Sequence, residues 1–302
     1  MSESEIELPA GLTSRPLTHD DAPGVLAAIS AEELVDLGEA QMTLDDVLAD
    51  WRRPSYDIGA STIGVFDGDR LVAYGDQNGG DVAYTAVLPE HQGHGIGTAI
   101  AGWLQARARA AGEPRIGTQV PEGSAADRLM TDLGYELRWT AWDLELPEGA
   151  ELSAAPLPEG YAIRDATEAD REAAWTLVED AFLEWADRDR MTLEDFGARV
   201  WDRPGSAPWN LRLLEDPDGE LVGAVHVFLA GDIGYVARIA VRPDHRGRRL
   251  APPMLVDAFA LARANGASRC ALSTDTRAGA RGLYEKVGMV VTSTWVNRAI
   301  SL

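Results

Sequence analysis

The chain carries one pattern twice, and this duplication constrains its fold more than any other feature. Arg15-Pro-Leu-Thr-His-Asp-Asp21 returns as Arg164-Asp-Ala-Thr-Glu-Ala-Asp170, and Met42-Thr-Leu-Asp-Asp46 returns as Met191-Thr-Leu-Glu-Asp195. Both pairs are 149 residues apart (15 to 164, 42 to 191). Val87-Leu-Pro-Glu-His-Gln-Gly93 returns as Val241-Arg-Pro-Asp-His-Arg-Gly247, 154 residues on (87 to 241). A repeat of this length is a duplicated domain and not a solenoid, whose units run ~20–50 residues. The 302 residues accommodate two domains of ~150 residues each. We therefore expect domains over 1–147 and 160–302, joined by a linker over 148–159 that is rich in Pro, Gly and Ala.

Each copy presents the same order of elements. A short strand (Leu12–Arg15; Tyr161–Arg164) meets a polar cap that opens a helix (Ala22–Ile29; Arg171–Phe182). A second helical stretch starts at Met42 or Met191 and stops near Pro54 or Pro204. Asp-Gly turns at Gly68 and Gly219 sit between β-rich runs and predict hairpins. A third strand (Asp81–Val87; Ile233–Val241) runs into a loop and then a long helix (Gly97–Ala111; Pro252–Ala264). Strand, helix and strand close each copy. The expected class is α/β in the layered α+β sense, with a mixed, mostly antiparallel sheet flanked by helices in each copy.

Composition narrows the partners. A net charge of −22 argues against nucleic acid, whose binders carry basic patches, and against anionic membrane surfaces. It suits solubility or attraction of a cationic substrate. Cys270 is the single cysteine, so no disulfide framework exists. The start of the chain, Met1-Ser-Glu-Ser-Glu-Ile-Glu-Leu-Pro9, lacks a basic and an apolar leader region, and no run approaches 18 apolar residues. A cytoplasmic protein, monomer or homodimer, without a metal, is expected.

The chemistry is concentrated at the loop Gln92-Gly-His-Gly-Ile-Gly97-Thr98, which follows a strand and opens a helix. Glycines there permit positive φ and close approach of backbone to ligand. Consecutive amides at a helix start make an anion cradle. A phosphate or pyrophosphate site follows, although a tight turn would use glycine too. The spacing is not that of a P-loop, since no Gly-Lys-Ser/Thr is present.

Val-x-Pro followed by Gln/Arg-x-x-Gly-x-Gly/Ala at a helix start resembles the acetyl-CoA loop of GCN5-related N-acetyltransferases, with Gln92, Gly95 and Gly97 in the defining positions. The tandem layout is similar to that of members of the mycothiol synthase type. The resemblance implies acetyl-CoA as co-substrate and a small-molecule amine as acceptor. It implies that Val87, Gln92, Gly93, His94, Gly95, Ile96, Gly97 and Thr98 form the first coenzyme site. It likewise implies a second site of Ile239, Ala240, Val241, Arg246, Gly247, Arg248, Arg249, Leu250 and Ala251, the three strand residues supplying candidate oxyanion amides. Arg249 stands at the inner glycine position of this second loop, where it could obstruct a pyrophosphate or bind it.

Near the end of the second copy, Leu283-Tyr-Glu-Lys-Val-Gly288 resembles the family segment whose tyrosine protonates the departing thiolate, which makes Tyr284 the expected general acid. The first copy has Met130 at that position, and methionine has no proton to give. His226 is the candidate base. The resulting expectation is acetyl transfer to an amine in the C-terminal copy. The alternative is a non-catalytic acyl-CoA-binding sensor or assembly module.

Overall fold

The computed structural model describes residues 6–77, 79–153 and 156–302. Met1–Glu5 at the expected leaderless start, and Ala154 and Ala155 of the expected linker, lie outside the described residues. The chain forms two compact units. The first comprises Met1–Thr140 together with Thr294–Leu302, and the second comprises Ala141–Ser293.

The first unit runs β1 (Leu12–Arg15), α1 (Ala22–Asp36), α2 (Leu44–Trp51), α3 (Ile58–Ser61), β2 (Thr62–Asp67), β3 (Arg70–Gln77), β4 (Val82–Val87), α4 (Ile96–Ala111), β5 (Arg115–Pro121), α5 (Ala125–Asp132) and the start of β6 (Glu136–Leu146). The second runs β7 (Ala162–Asp165), α6 (Arg171–Leu183), α7 (Leu193–Arg199), β8 (Leu211–Glu215), β9 (Leu221–Ala230), β10 (Ile233–Val241), α8 (Ala251–Ala264), β11 (Arg269–Asp275), α9 (Arg281–Lys286) and the start of β12 (Val290–Ser301).

The repeated motifs explain how the helices start. Asp21 accepts the Thr18 N–H at 2.8 Å, and Arg15 grips the same carboxylate at 2.7 and 2.8 Å. Asp170 accepts the Thr167 N–H at 2.8 Å and takes two 2.8 Å contacts from Arg164. Each acid satisfies an amide that the first helical turn leaves unpaired. The Arg15 guanidinium, outweighing burial, holds Asp21 down at about 2, and Arg164 holds Asp170 well below the carboxylate range.

In the first unit the strand order is β1-β2-β3-β4-β5-β12, antiparallel throughout except for the parallel β4–β5 pair. In the second it is β7-β8-β9-β10-β11-β6, again antiparallel except for β10–β11. The mixed, mostly antiparallel sheet flanked by helices is thus present in each copy. The closing strand of each order comes from the other half of the chain. Trp295–Ser301 of β12 pairs with β5, and Ala141–Leu146 of β6 pairs with β11.

The parallel pairs place the site. β4 meets β5 only at Val82 and Ala83, yet β4 continues to Val87 while β5 stays paired with β12 as far as Pro121. β10 meets β11 from Ile233 to Val236 and then parts from it, at a bulge between Val236 and Arg238. Each parting leaves a strand end whose backbone is not paired with the neighbouring parallel strand, beside the loop that opens α4 or α8. The core of the first unit lets α4 close onto β3 through Gly75, where a Cβ would stand 2.6 Å from Ile100 Cγ2.

Candidate active site

Val87 is paired with Ala73, while its neighbour Leu88 donates to Val72 O at 2.9 Å. In an antiparallel ladder the bonded and non-bonded pairs alternate. The N–H and C=O of Val87 therefore point away from β3, toward the side from which β5 has departed. Gln92 Nε2 donates to that carbonyl at 3.1 Å, fixing the base of the loop. Gly93 and Gly95 follow at φ +76° and +90°, with open space where a Cβ would stand. The left-handed backbone, and not crowding, demands glycine there. Gly95 caps α4, so the amides that follow face outward as a cradle for an anion.

The other predicted loop residues have different roles. Ile96 is buried in the core, whereas His94 and Thr98 are exposed beside the cradle. Gly97 is a packing residue as well: a Cβ there would stand 2.7 Å from Leu129 Cδ2 of α5.

The second loop reproduces this geometry. Val241 pairs with Gly223, and Arg242 donates to Val222 O at 2.8 Å, so Val241 too faces the parting of its strands. Arg246 Nε donates to Val241 O at 2.9 Å, as Gln92 does to Val87, and its guanidinium holds Glu184 at 2.5 and 2.8 Å. Gly247 has φ +76°, the value at Gly93, and Arg249 has φ +61°. Among the described residues Arg249 is the only non-glycine with positive φ. A left-handed arginine costs roughly 1–2 kcal/mol, and this cost keeps the turn that glycine makes in the first copy. The left-handed turn survives the substitution. Arg248 donates to Tyr161 Oη at 2.9 Å, Tyr161 Oη lies 2.9 Å from His245 Nδ1, and Leu250 is buried under the loop. Ala251 starts α8, one residue ahead of the predicted Pro252. Ile239 and Ala240 lie on β10 after the bulge, on the Val241 side of it.

Tyr284 sits on α9 among the buried residues of the second core, and burial pushes its hydroxyl up to about 12. It is therefore protonated at any working pH. Met130, its counterpart on α5, is buried in the first core. His226 lies in the middle of β9, 1% exposed, and neither ring nitrogen has a hydrogen-bond partner among the described residues. Burial, aided by Arg238 and Arg203, drives its pKa well below the ordinary value, so it is a weak proton acceptor.

Two carboxyls escaped the sequence reading. Glu32, on α1, accepts the Val87 N–H at 3.0 Å and the Gln92 side-chain N–H at 3.1 Å. Burial pushes it up to about 7. Asp76 stands on β3 opposite Thr62 and Tyr84, the register position that His226 holds opposite Leu211 and Arg238 in the second copy. It is pushed up to about 6, chiefly by burial. Glu32 meets Val87 across 55 residues of chain, and no local spacing announces that contact. Asp76 had one available signal, its alignment with His226. Among the described residues no cluster of His, Cys, Asp and Glu could hold a metal, and no helix is long and apolar enough to cross a membrane.

Each unit thus carries a mixed strand order with a parted parallel pair and a glycine-turned loop between its fourth strand and the next helix, the arrangement of a tandem acyltransferase. The acetyltransferase (GNAT) family model matches residues 28–135 and 170–289. The chain belongs to that family and is an acetyl-CoA-dependent N-acetyltransferase in class. It is 29% identical over 242 residues to the mycothiol acetyltransferase of Thermobispora bispora, covering 76% of this chain and 80% of that one. It is 34% identical over 130 residues to the mycothiol acetyltransferase of Kytococcus sedentarius, a match spanning 41% of this chain and 44% of that relative. A GCN5-related N-acetyltransferase from Sphaerobacter thermophilus superposes with a TM-score of 0.77 at 26% identity, covering 98% of this chain and 97% of that one. A tandem GNAT protein of the clavulanic acid pathway shares the fold with a TM-score of 0.71 at 16% identity, covering 96% and 98%.

Proposed function

We propose that both units hold acetyl-CoA and that the second transfers the acetyl group to the amine of a small molecule. The observation that carries this is Arg249 at φ +61°. It keeps the cradle of the first loop in the unit that also contains Tyr284. The acceptor class is taken from the mycothiol acetyltransferases that the chain resembles.

When bound, the coenzyme supplies an activated acetyl thioester. The residues of the second unit would act on it as follows. The amides of Gly247 to Leu250 hold the pyrophosphate, with the exposed Arg249 guanidinium adding positive charge. The Val241 N–H, turned to the parting of β10 and β11, stabilises negative charge on the carbonyl oxygen. Tyr284, kept protonated by burial, donates to the leaving sulfur. Its proton lies uphill of a free thiol at ~8.5, so the hydroxyl serves first as a hydrogen-bond donor to the developing thiolate. The depressed basicity of His226 leaves proton removal from the amine to a water path.

Tyr284→Phe tests the assignment. Turnover is expected to fall by ~100-fold or more, with acetyl-CoA affinity unchanged; full turnover would contradict it. The unpartnered, weakly basic His226 also favours a second reading, coenzyme binding without transfer. Acetyl-CoA binding without thiol release over a wide amine panel would establish that one instead.

A further inference from the structure

We propose that the first unit is a second acyl-transfer site, in which Glu32 is the catalytic base and is held on the Val87 amide until a thioester oxygen takes that amide. The inference rests on the reading that the first loop holds acetyl-CoA. Three contacts carry it: Val87 N–H to Glu32 Oε1 at 3.0 Å, Gln92 Nε2 to the same oxygen at 3.1 Å, and Gln92 Nε2 to Val87 O at 3.1 Å. Val87 is the last residue of β4 and faces the parting from β5. A carbonyl oxygen seated on its N–H must displace Glu32 Oε1, since both are acceptors. The displaced carboxylate then lies beside the reacting carbon, still tethered by Gln92.

The second unit is built differently. Its Glu184 is paired with the Arg246 guanidinium. Among the described residues, therefore, only the first unit has a carboxylate held by an uncharged loop residue at the strand end. Burial raises Glu32 to about 7, with Asp36 and Glu33 of its own helix adding to the rise and the Val87 and Gln92 hydrogen bonds opposing it. Tyr74 of β3 is the further titratable group that couples to it. A carboxyl so placed exchanges protons near neutrality, as a base for an ammonium acceptor must.

The protons balance without a tyrosine at the position of Tyr284, where the first unit has Met130. The acceptor's ammonium gives one proton to Glu32. The freed lone pair forms the C–N bond to the thioester carbon, and the C–S pair leaves with sulfur. The surplus proton on nitrogen ends on that thiolate, and Glu32 returns its own proton to solvent.

The test uses the full chain and two ligands, acetyl-CoA and CoA, titrated calorimetrically at pH 7 in buffers of different ionisation enthalpy. Loss of the Val87 hydrogen bond raises the Glu32 pKa, so at pH 7 acetyl-CoA should bind with fractionally more proton uptake than CoA, the fraction of Glu32 left ionised being the base. Glu32→Gln should abolish the difference while leaving binding intact. Glu32→Asp, which keeps the charge but cannot reach Val87, should abolish it too. Equal uptake for the two ligands in the native protein, or a difference that survives both variants, overturns the proposal. In a Tyr284→Phe background, thiol release with an amine panel should persist at a low level and fall a further tenfold or more on adding Glu32→Gln. No residual release overturns the second transfer site. If Gly95→Glu leaves acetyl-CoA stoichiometry unchanged, the coenzyme reading of the first unit has failed, and this proposal with it.

Discussion

At the scale of single residues, two side chains are placed at a cost. Arg249 is left-handed where glycine would be free of strain. Arg249→Gly should stabilise the protein by about 1 kcal/mol, a rise of roughly 2–4 °C in melting temperature. A lower melting temperature would show that the guanidinium contributes more than the strain costs. His226 is buried with both nitrogens unpartnered among the described residues. Its folded pKa lies well below the ordinary 6.5, so the unfolded chain takes a proton below that pH that the folded one refuses. The stability it allows is complete above about 6.5 and falls as pH drops through that value. His226→Leu should therefore be neutral or stabilising at pH 7 and should flatten the loss of stability between pH 6.5 and 5. A steeper loss in the variant would contradict the account. Gly93 and Gly95 were legible because positive φ has a sequence signature. Arg249 was not, since its side chain says nothing of its φ, which keeps the turn of the first loop. Glu32 was hidden because its partners are distant in the chain.

At the scale of elements, the helix starts were the most legible part of the fold, because Arg-x-x-Thr-x-x-Asp encodes its cap within seven residues. Asp21→Ala should cost about 1 kcal/mol at pH 7. Because Asp21 is held at about 2, its contribution is complete above the unfolded value of about 3.9 and fades as pH falls toward 2. Melting curves at pH 7 and pH 2.5 should show the gap between variant and native protein shrinking. An equal gap at both would remove the ion pair from the explanation. Helix ends were less legible. α1 runs to Asp36, past the predicted Ile29, and Glu33 on its last turn accepts the amides of Gln41 at 2.7 Å and Met42 at 3.0 Å. That tie depends on residues eight and nine positions away, which hydrophobic periodicity does not register.

At the scale of the whole molecule, the duplication gave the architecture of each unit but not its closing strand. Repeats align equally well whether the last strand pairs at home or with the other half, since the local pattern is the same. The first unit takes Thr294–Leu302, whose β12 residues occupy the free edge of β5. Ending the chain at Ser293 should therefore expose the β5 amides of Ile116, Thr118 and Val120, which face β12, to hydrogen exchange, with β9 of the second unit largely protected. Equal loss of protection in both strands would mean that the two units unfold as one. The central claim, that both loops retain a working coenzyme cradle, is met most directly by counting acetyl-CoA molecules bound per chain in a calorimetric titration. We predict two equivalents for the native protein and one for Gly95→Glu. One equivalent in the native protein, abolished by Gly95→Glu, would confine the coenzyme to the first unit, leave Tyr284 without a thioester, and contradict the account.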